Sequence, residues 1–343
     1  MRIIIDAMGG DLAPQAPVRG ALMARKEYGC EITLVGKEEV IRKILEQDGI
    51  GQLPPGVDIV NATQTIEICD NPSTAWREKK DSSMTVGLKL VRDGKGDAFI
   101  SAGSTGALLS GGTLLVKRIP GIKRAAVAPI VPTGAGGAVL IDAGANSDCT
   151  LEYLCQFAMM GSFYAERVLG RKNAKVGLLN IGAEPSKGNE FYKEVHQQLR
   201  KLSEEGKLNF VGNTEPNVFA TEDAPDVLVA DGFTGNIFLK ALEGTASFLV
   251  KGLKQIFTTN AKTKMGYLMI KNNMGEFKKM LDSRETGGTA FLGLRKPVFK
   301  AHGSSDAYAI CRAVGKAADF VEAGIVDAIA ENVDSIQLNL SEQ

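Results

Sequence analysis

Two stretches of this chain repeat one pattern: a short apolar run, a turn of small and polar residues, and then apolar residues at helical spacing. The first stretch runs from Asp97 to Leu115 and the second from Asp226 to Gly244. The pattern predicts a buried parallel strand, a strand-to-helix turn and a helix that packs back on the sheet. A chain built on such units is expected to have an α/β architecture.

The turn of each stretch is a candidate anion site. Backbone N–H groups at the start of a helix, together with the positive end of the helix dipole, attract anions, and hydroxyl groups add donors. The alternative is that the small residues only allow a tight turn. Ligands of open α/β sheets bind at the carboxyl ends of strands, so we expect both turns to face one crevice of a single sheet. The candidate residues are Gly103, Ser104, Thr105 and Gly106 in the first turn, and Asp231, Thr234, Gly235 and Asn236 in the second.

The rest of the chain alternates predicted strands and helices. This alternation predicts a mostly parallel sheet with helices on both faces, formed by residues 1–343 as one large domain or two interleaved lobes. The apolar runs Ala125–Val131 and Ala138–Asp142 are joined by a short Gly-rich link, which predicts a hairpin. Other predicted elements include the strands Arg2–Asp6, Glu31–Val35, Val57–Val60 and Lys175–Asn180, and the helices Glu38–Gln47 and Leu151–Leu169.

Composition excludes several classes of protein. Basic and acidic residues number 40 each, and this balance argues against nucleic-acid binding. The cysteines form no Cys-x-x-Cys pair, so we expect neither a disulfide framework nor a zinc site, in a reducing cytosolic setting. Met1 and Arg2 lead directly into the first predicted strand, and no apolar run approaches the length needed to span a bilayer. We therefore expect neither a signal peptide nor a transmembrane helix.

Two further loops carry candidate side chains. Asn180 and Lys187 lie in a predicted strand-end loop, where a lysine either binds an anion as a point charge or is simply solvated. His302 lies in a polar turn before a helix, and it either contacts a ligand or only bonds the turn. The other histidine, His196, is predicted to lie exposed in the middle of a helix.

The segment from Lys251 to Leu281 departs from the pattern because its charges are almost all basic. Apolar residues recur at helical spacing between the lysines, which suits an anionic membrane surface. A helix hairpin packed in a dimer, with solvated lysines, is the alternative. The membrane-binding candidates are Lys254, Phe257, Lys264, Leu268 and Met269, and the charges near the end of the segment are Glu276, Lys278 and Lys279.

Familiar catalytic motifs are missing from the sequence. It contains no G-x-S-x-G elbow, no Walker A motif and no H-E-x-x-H, and no G-x-G-x-x-G follows the first strand. What remains is a set of anion-accepting loops with a lysine, an asparagine and a histidine. That set suits the binding of phosphate and the stabilisation of an oxyanion. We expect neither a metal nor a cofactor.

Five short motifs of this chain resemble those of the bacterial phosphate acyltransferases of phospholipid synthesis. Enzymes of that family act on acyl-ACP, the thioester of a fatty acid with acyl carrier protein. The likeness covers nearly the whole chain, and one departure is Phe291-Leu292-Gly293, where the family commonly has Leu-Leu-Gly. The motifs are DAMGGD (6–11), SAGSTGA (101–107), DGFTGN (231–236), GGTAFLG (287–293) and KAHGSSD (300–306).

The resemblance implies a fold similar to isocitrate and isopropylmalate dehydrogenases and a homodimer. It implies that acyl-ACP and phosphate give acyl phosphate and ACP, and that a membrane glycerol-3-phosphate acyltransferase consumes the product. We therefore expect a cytoplasmic protein that associates peripherally with the inner face of an anionic membrane. An acyl-CoA enzyme similar to phosphotransacetylase, a dehydrogenase of the related fold and a non-catalytic membrane-docking protein remain as alternatives.

The expected chemistry assigns a role to each candidate. A thioester is already activated, so phosphate can attack it directly without a covalent acyl-enzyme. The two turns would cradle phosphate and the oxyanion, with Asn236 as an oxyanion donor. Lys187 and His302 would supply positive charge, or a proton to the leaving thiolate, and Asn180 would orient a neighbour.

Overall fold

The strands form two sheets in the computed structural model, which describes residues 1–281 and 287–336. The first sheet has seven strands in the order β3-β2-β1-β4-β12-β11-β5, and the second has five in the order β6-β7-β10-β8-β9. The strands are β1 (Arg2–Asp6), β2 (Glu31–Gly36), β3 (Val57–Asn61), β4 (Ala98–Ser101), β5 (Ala126–Ala128), β6 (Ile130–Val131), β7 (Ala138–Ile141), β8 (Lys175–Leu179), β9 (Asn209–Thr214), β10 (Val227–Val229), β11 (Thr289–Leu292) and β12 (Val298–Lys300).

Helices connect most of these strands. The predicted helix of the second strand–turn–helix stretch does not end near Gly244 but continues as one helix to Thr258. The helices are α1 (Gln15–Tyr28), α2 (Glu38–Gln47), α3 (Ala75–Glu78), α4 (Ser83–Arg92), α5 (Thr105–Gly111), α6 (Leu151–Val168), α7 (Glu190–Glu204), α8 (Gly232–Thr258), α9 (Ala261–Leu281), α10 (Ala307–Glu322), α11 (Ile325–Glu331) and α12 (Val333–Ile336).

Most strand pairs are parallel, as the alternation of strands and helices predicts. β1 pairs in parallel with β2 and β4, β4 with β12, and β10 with both β7 and β8. The exceptions are at one edge of each sheet, where β11 is antiparallel to β12 and β5, and β6 is antiparallel to β7. The β6–β7 pair confirms the predicted hairpin.

The prediction of a single sheet is wrong, because the apolar run before the hairpin belongs to both sheets. The run divides at Pro129, with β5 in the first sheet and β6 in the second. It is nevertheless one extended segment: the Leu140 N–H donates to the Pro129 carbonyl (3.0 Å), and the Ala143 N–H donates to the Val127 carbonyl (2.9 Å). β7 thus runs against β5, so the parallel strands of the two sheets run in opposite directions. Their carboxyl ends therefore face each other.

The cores of the sheets explain the near-continuous apolar strands. β1 sends Ile3 and Ile5 into one cluster of buried side chains and Ile4 into another, one on each face of the sheet. α6 contributes Phe157 and Tyr164, both buried, to the same group of core side chains as Ile3 and Ile5. This long apolar helix is therefore part of the core.

Helices α8 and α9 form a hairpin whose apolar residues divide into two groups. Phe257 faces α9, with its ring centroid 5.4 Å from that of Tyr267, in an apolar groove of about 410 Å³. Ile256 and Met269 instead lie on the surface, with exposed fractions of 58% and 87%. Leu268 lines the groove but is 67% exposed. The side chains of Glu276, Lys278 and Lys279 lie outside the described part of the chain. Within residues 1–281 and 287–336, no helix is both long and apolar enough to cross a membrane.

Candidate active site

The loops after β1, β4 and β12 converge at the carboxyl edge of the first sheet, because these three strands are neighbours. The Asp11 N–H donates to the Gly303 carbonyl (2.8 Å), and the Ser101 hydroxyl donates to Asp6 Oδ2 (2.6 Å). A Cβ at Gly10 would lie 2.8 Å from the Cβ of Ala102, so only glycine allows this approach. We call this convergence the first cluster.

The first cluster presents backbone donors that its own residues do not use. Ser104 caps α5, and its Oγ accepts the Ala107 N–H (3.4 Å). Among the described residues, the N–H groups of Ser104, Thr105 and Gly106 have no hydrogen-bond partner. A π-helical turn extends α5 to Val116, which lengthens the aligned peptide dipoles behind these donors. The turn is therefore suited to hold an anion.

Lys300 also lies in the first cluster, although the sequence interpretation treated it only as a neighbour of His302. Its Nζ donates to the carbonyls of Ala102 (3.3 Å) and Ala301. Burial lowers the pKa of Lys300 to about 8, against the opposing fields of Asp11 and Asp6. The sequence signal that could have found it is its position as the last residue of an apolar strand, directly before the KAHGSSD loop turns.

Asp6 is the buried acid of this cluster, and burial raises the pKa of its carboxyl group. His302 is exposed, and its Nδ1 lies 2.9 Å from the Ser304 hydroxyl and accepts the Ser304 N–H (3.3 Å). Since a backbone amide only donates, the neutral imidazole must carry its proton on Nε2. His302 therefore bonds its own turn, as the alternative interpretation held, and keeps an Nε2–H to offer a ligand.

The loops after β7, β8 and β10 form a second cluster at the carboxyl edge of the second sheet. Asp231 caps α8 and accepts the Thr234 N–H and the Thr234 hydroxyl, each at 2.8 Å. Asp231 Oδ2, which accepts the Thr234 hydroxyl, also accepts the Tyr192 hydroxyl at 2.5 Å. Burial raises the pKa of Tyr192 well above its usual value, which keeps the phenol a proton donor. The predicted donor Thr234 is thus engaged within its own loop.

Asp142 anchors this second cluster, although the sequence indicates it only as the end of the apolar run Ala138–Asp142. It is fully buried, and burial raises its pKa although its donors oppose the shift. The donors are the backbone N–H groups of Val127, Gly144, Ala145 and Asn146 and the side-chain amide of Asn146. One carboxyl group therefore ties the crossing strand β5 to the loop after β7.

Gly235 and Asn236 are placed by close contact with that loop. A Cβ at Gly235 would lie only 2.0 Å from the Asp142 carbonyl oxygen, so the helix start approaches the loop closer than any side chain permits. Asn236 is exposed beside Gly144, where a Cβ would lie 2.9 Å from its Nδ2. Its side-chain amide has no hydrogen-bond partner among the described residues, so it is free to donate to a ligand.

Asn180 holds the loop that carries Lys187. Its Nδ2 donates to the Lys187 carbonyl (3.3 Å), and its Oδ1 accepts the Ile181 N–H (2.8 Å). The Lys187 ammonium is exposed, with Glu184 Oε2 at 3.9 Å. Such an exposed ion pair holds the lysine only weakly, so its ammonium can turn to an anion in the cleft.

The prediction that His196 is exposed is wrong. Its exposed fraction is 3%, its Nδ1 lies 2.9 Å from Asn213 Oδ1, and its ring packs against Phe210 at 5.2 Å between centroids. The helical spacing of Val195, Leu199 and Leu202 already marks this side of α7 as buried. Asn213 Nδ2 in turn donates to the Glu184 carbonyl (2.8 Å), so His196 supports the Lys187 loop from inside.

Sequence comparisons agree with this arrangement of motifs. A family model described as a fatty acid synthesis protein matches residues 1–328. The phosphate acyltransferase of Alkaliphilus oremlandii is 46% identical over 340 residues, which cover 98% of both chains. The phosphate acyltransferase of Thermoanaerobacter pseudethanolicus is 45% identical over 346 residues, 99% of this chain and 100% of the relative. This chain belongs to the phosphate acyltransferase family. It is therefore an acyltransferase of lipid synthesis.

Two solved structures have a fold similar to that of this chain. A phosphotransacetylase from Streptococcus pyogenes matches with a TM-score of 0.63 at 19% identity, over 94% of each chain. A branched-chain phosphotransacylase from Enterococcus faecalis V583 matches with a TM-score of 0.55 at 15% identity, over 93% of this chain and 99% of that one. At these identities the likeness concerns the fold alone.

The two clusters of the phosphate acyltransferase face one cleft, though from different sheets. Opposed carboxyl edges bring the first cluster, with Gly103 to Gly106 and His302, opposite the second, with Asn180, Lys187 and Asp231 to Asn236. Lys240, one turn along α8 from Asn236, is close enough to lower the pKa of Lys300 in the first cluster. In the described part of the chain, no three His, Cys, Asp or Glu side chains come together as a metal site.

Proposed function

We propose that this acyltransferase moves the acyl group of acyl-ACP to inorganic phosphate and so supplies acyl phosphate for phospholipid synthesis. The observation that carries the proposal is the row of unused N–H groups from Ser104 to Gly106, opposite the unpartnered amide of Asn236. Donors fixed by the fold can hold a dianion and stabilise charge that develops on a carbonyl oxygen.

In this mechanism the amides of Ser104, Thr105 and Gly106 hold HPO₄²⁻ beside the thioester. A phosphate oxygen attacks the carbonyl carbon, and Asn236 donates to the oxyanion of the tetrahedral intermediate. The C–S bond then breaks with its electron pair on sulfur. A protonated His302 gives its Nε2 proton to the thiolate while its Nδ1–H faces the Ser304 hydroxyl, and the proton that phosphate loses then restores the imidazolium. The products are acyl phosphate and the ACP thiol.

The remaining candidates take supporting roles in the proposal. Lys187 draws phosphate into the cleft as a point charge, and Asn180 fixes the loop that carries it. Asp231 and Thr234 bond each other, so we assign them to the placement of Asn236 rather than to contact with phosphate. Gly103 donates to Ser101 Oγ (3.0 Å) and shapes the cradle.

Trapping of acyl phosphate with hydroxylamine tests the reaction. The purified protein is incubated with long-chain acyl-ACP and phosphate, and a hydroxamate that depends on both substrates is expected. Acetyl-CoA at the same thioester concentration should give much less product. Equal rates with acetyl-CoA would favour an enzyme that resembles phosphotransacetylase, and no hydroxamate with either thioester would overturn the proposal in favour of a non-catalytic role.

We further infer that the α8–α9 hairpin docks the enzyme on the inner face of an anionic membrane. Ile256, Leu268 and Met269 are exposed among lysines that include Lys254 and Lys264. Each lysine near such a surface contributes about 1 kcal/mol, and the apolar side chains add burial. The product is poorly soluble, so docking would shorten its path to a membrane glycerol-3-phosphate acyltransferase.

Three further expectations stay predictions. They are that the protein is a cytoplasmic homodimer, that it forms one large domain, and that its fold is similar to isocitrate and isopropylmalate dehydrogenases.

Liposome sedimentation tests the docking surface. Wild type should bind anionic liposomes and bind neutral ones weakly, and Leu268→Glu should abolish binding while activity in solution is kept. Ile68→Glu is a matched control, since Ile68 is 80% exposed but lies outside the hairpin, and it should bind as wild type does. Equal sedimentation of Leu268→Glu and wild type would favour the alternative of a hairpin packed in a dimer.

A further inference from the structure

Among residues 1–281 and 287–336, Lys300 is the one lysine whose ammonium group is inserted into the first cluster itself. It is the last residue of β12, beside β4, and each of these strands leads directly into a loop of the cluster. Its Nζ donates to the carbonyl of Ala102, the residue that precedes Gly103 in the cradle. A second N–H goes to the Ala301 carbonyl. The lysine thus joins the loop after β12 to the loop after β4.

The third N–H of this ammonium has no acceptor among the described residues, and no carboxylate there forms an ion pair with it. The charged groups around it come from several elements. Asp6 lies at the end of β1, Asp11 in the next loop and Lys240 on α8. Asp6 is occupied by the Ser101 hydroxyl and the Met8 N–H. The lysine therefore keeps one donor and its charge for a group that enters the cleft.

We propose that Lys300 is a phosphate-binding residue, which fixes the cradle through Ala102 and gives its remaining N–H to a phosphate oxygen. The inference rests on the proposed function and adds to it one side chain of the first cluster that binds the phosphate. A charge-assisted hydrogen bond to an anion is among the stronger contacts a side chain can make. Lys300 and the bare amides would thus bind the same anion from two adjacent strand ends.

The burial of Lys300 gives this contact a pH signature. Its pKa is lowered to about 8 in the free enzyme, so the group is charged below this pH and becomes neutral above it. A neutral amine attracts a dianion far less than an ammonium does. The KM for phosphate should therefore rise with pH above about 8, a range in which inorganic phosphate is already mainly a dianion.

Steady-state kinetics of wild type and Lys300→Gln over this pH range tests the assignment. Removing an anion contact of this kind should raise the KM for phosphate at least tenfold at neutral pH, while the KM for acyl-ACP stays near that of wild type. The KM of the variant should also be nearly independent of pH where that of wild type climbs. Lys316→Gln removes a lysine whose pKa burial also lowers, but which lies on α10, and it should keep the wild-type profile.

Two results would overturn the proposal while leaving the proposed reaction intact. One is a Lys300→Gln enzyme that makes acyl phosphate with the wild-type KM for phosphate and the wild-type pH dependence. The other uses Lys300→Arg, which serves where Lys300→Gln does not fold. Arginine keeps its charge at high pH, so the rise in the KM for phosphate above about pH 8 should disappear in this variant. If the rise persists, another group causes it and the proposal is wrong. A wild-type protein that makes no acyl phosphate contradicts the proposed function instead.

Discussion

The two strand-end clusters share one sequence pattern but use their donors differently. In the first, the amides of Ser104, Thr105 and Gly106 are unused. In the second, the Gly232 N–H donates to the Asn146 carbonyl (2.7 Å), and the Gly235 N–H donates to the Asp231 carbonyl (2.9 Å). The first cluster therefore offers backbone to a ligand, and the second offers side chains.

The capping residues explain much of this difference. Ser104 has one hydroxyl oxygen, which satisfies a single amide of α5. Asp231 has two carboxylate oxygens, and these take an amide, a hydroxyl and a phenol. An acidic cap also places a negative charge where an anion would bind. A turn of this kind is therefore a better phosphate site with serine at its cap than with aspartate.

The largest expected effect concerns the buried acids of the two clusters. Asp142→Asn should lower the free energy of unfolding by at least about 3 kcal/mol. Both carboxyl oxygens of Asp142 accept backbone N–H groups, so the NH₂ that replaces one oxygen would meet donors and leave them without an acceptor. Asp6→Asn should cost only about 1 kcal/mol, since the Ser101 hydroxyl can rotate to accept instead of donating. Urea unfolding of both variants measures this. Similar losses would mean that the second cluster is not the more tightly bonded one.

The next effect tests the side-chain donor of the second cluster. Asn236→Ala should lower kcat by roughly a hundredfold, the scale of losing one oxyanion donor. Its exposure predicts little change in stability, so thermal unfolding serves as the control. Full activity in a folded Asn236→Ala protein would leave the chemistry to the first cluster alone.

A smaller effect is expected at Lys187. Lys187→Ala should raise the KM for phosphate by about tenfold or less, since the ammonium is exposed and partly screened. The KM for acyl-ACP should not change, and added salt should narrow the difference between variant and wild type. A changed KM for acyl-ACP with unchanged phosphate dependence would place Lys187 in ACP docking instead.

The smallest effect is expected at His302, because a thiolate is a good leaving group and needs little protonation. His302→Gln keeps a hydrogen-bonding side chain but removes its titration. We expect kcat to fall several-fold, and the decline in kcat with rising pH, which a histidine acid causes when it loses its proton, should disappear. The comparison is a kcat profile of wild type and variant on one substrate batch. A profile of unchanged shape would make His302 a binding residue rather than an acid.

Local sequence pattern was enough for most elements and for the loops of the site. The predicted helix Glu38–Gln47 and the predicted strand Arg2–Asp6 have the bounds found in the structure. The reason is that burial on both faces, turn residues and helical spacing act over a few neighbouring residues. For the same reason the candidate site residues all lie in strand-end loops or in the first turns of the helices that follow them.

Contacts between distant residues decided the rest. Nothing near Pro129 indicates that the segment around it serves two sheets, since its partners β11 and β7 lie elsewhere in the chain. The hydrogen bond of His196 depends on Asn213, and the use of the Gly232 amide depends on Asn146. Whether a donor is bare or engaged, and whether a lysine such as Lys300 is desolvated, depends on which strand ends meet. The sequence alone thus determined which strand-end loops carry the candidate residues, whereas the tertiary structure decided which strand ends meet and which donors are left free, because both depend on contacts between distant residues.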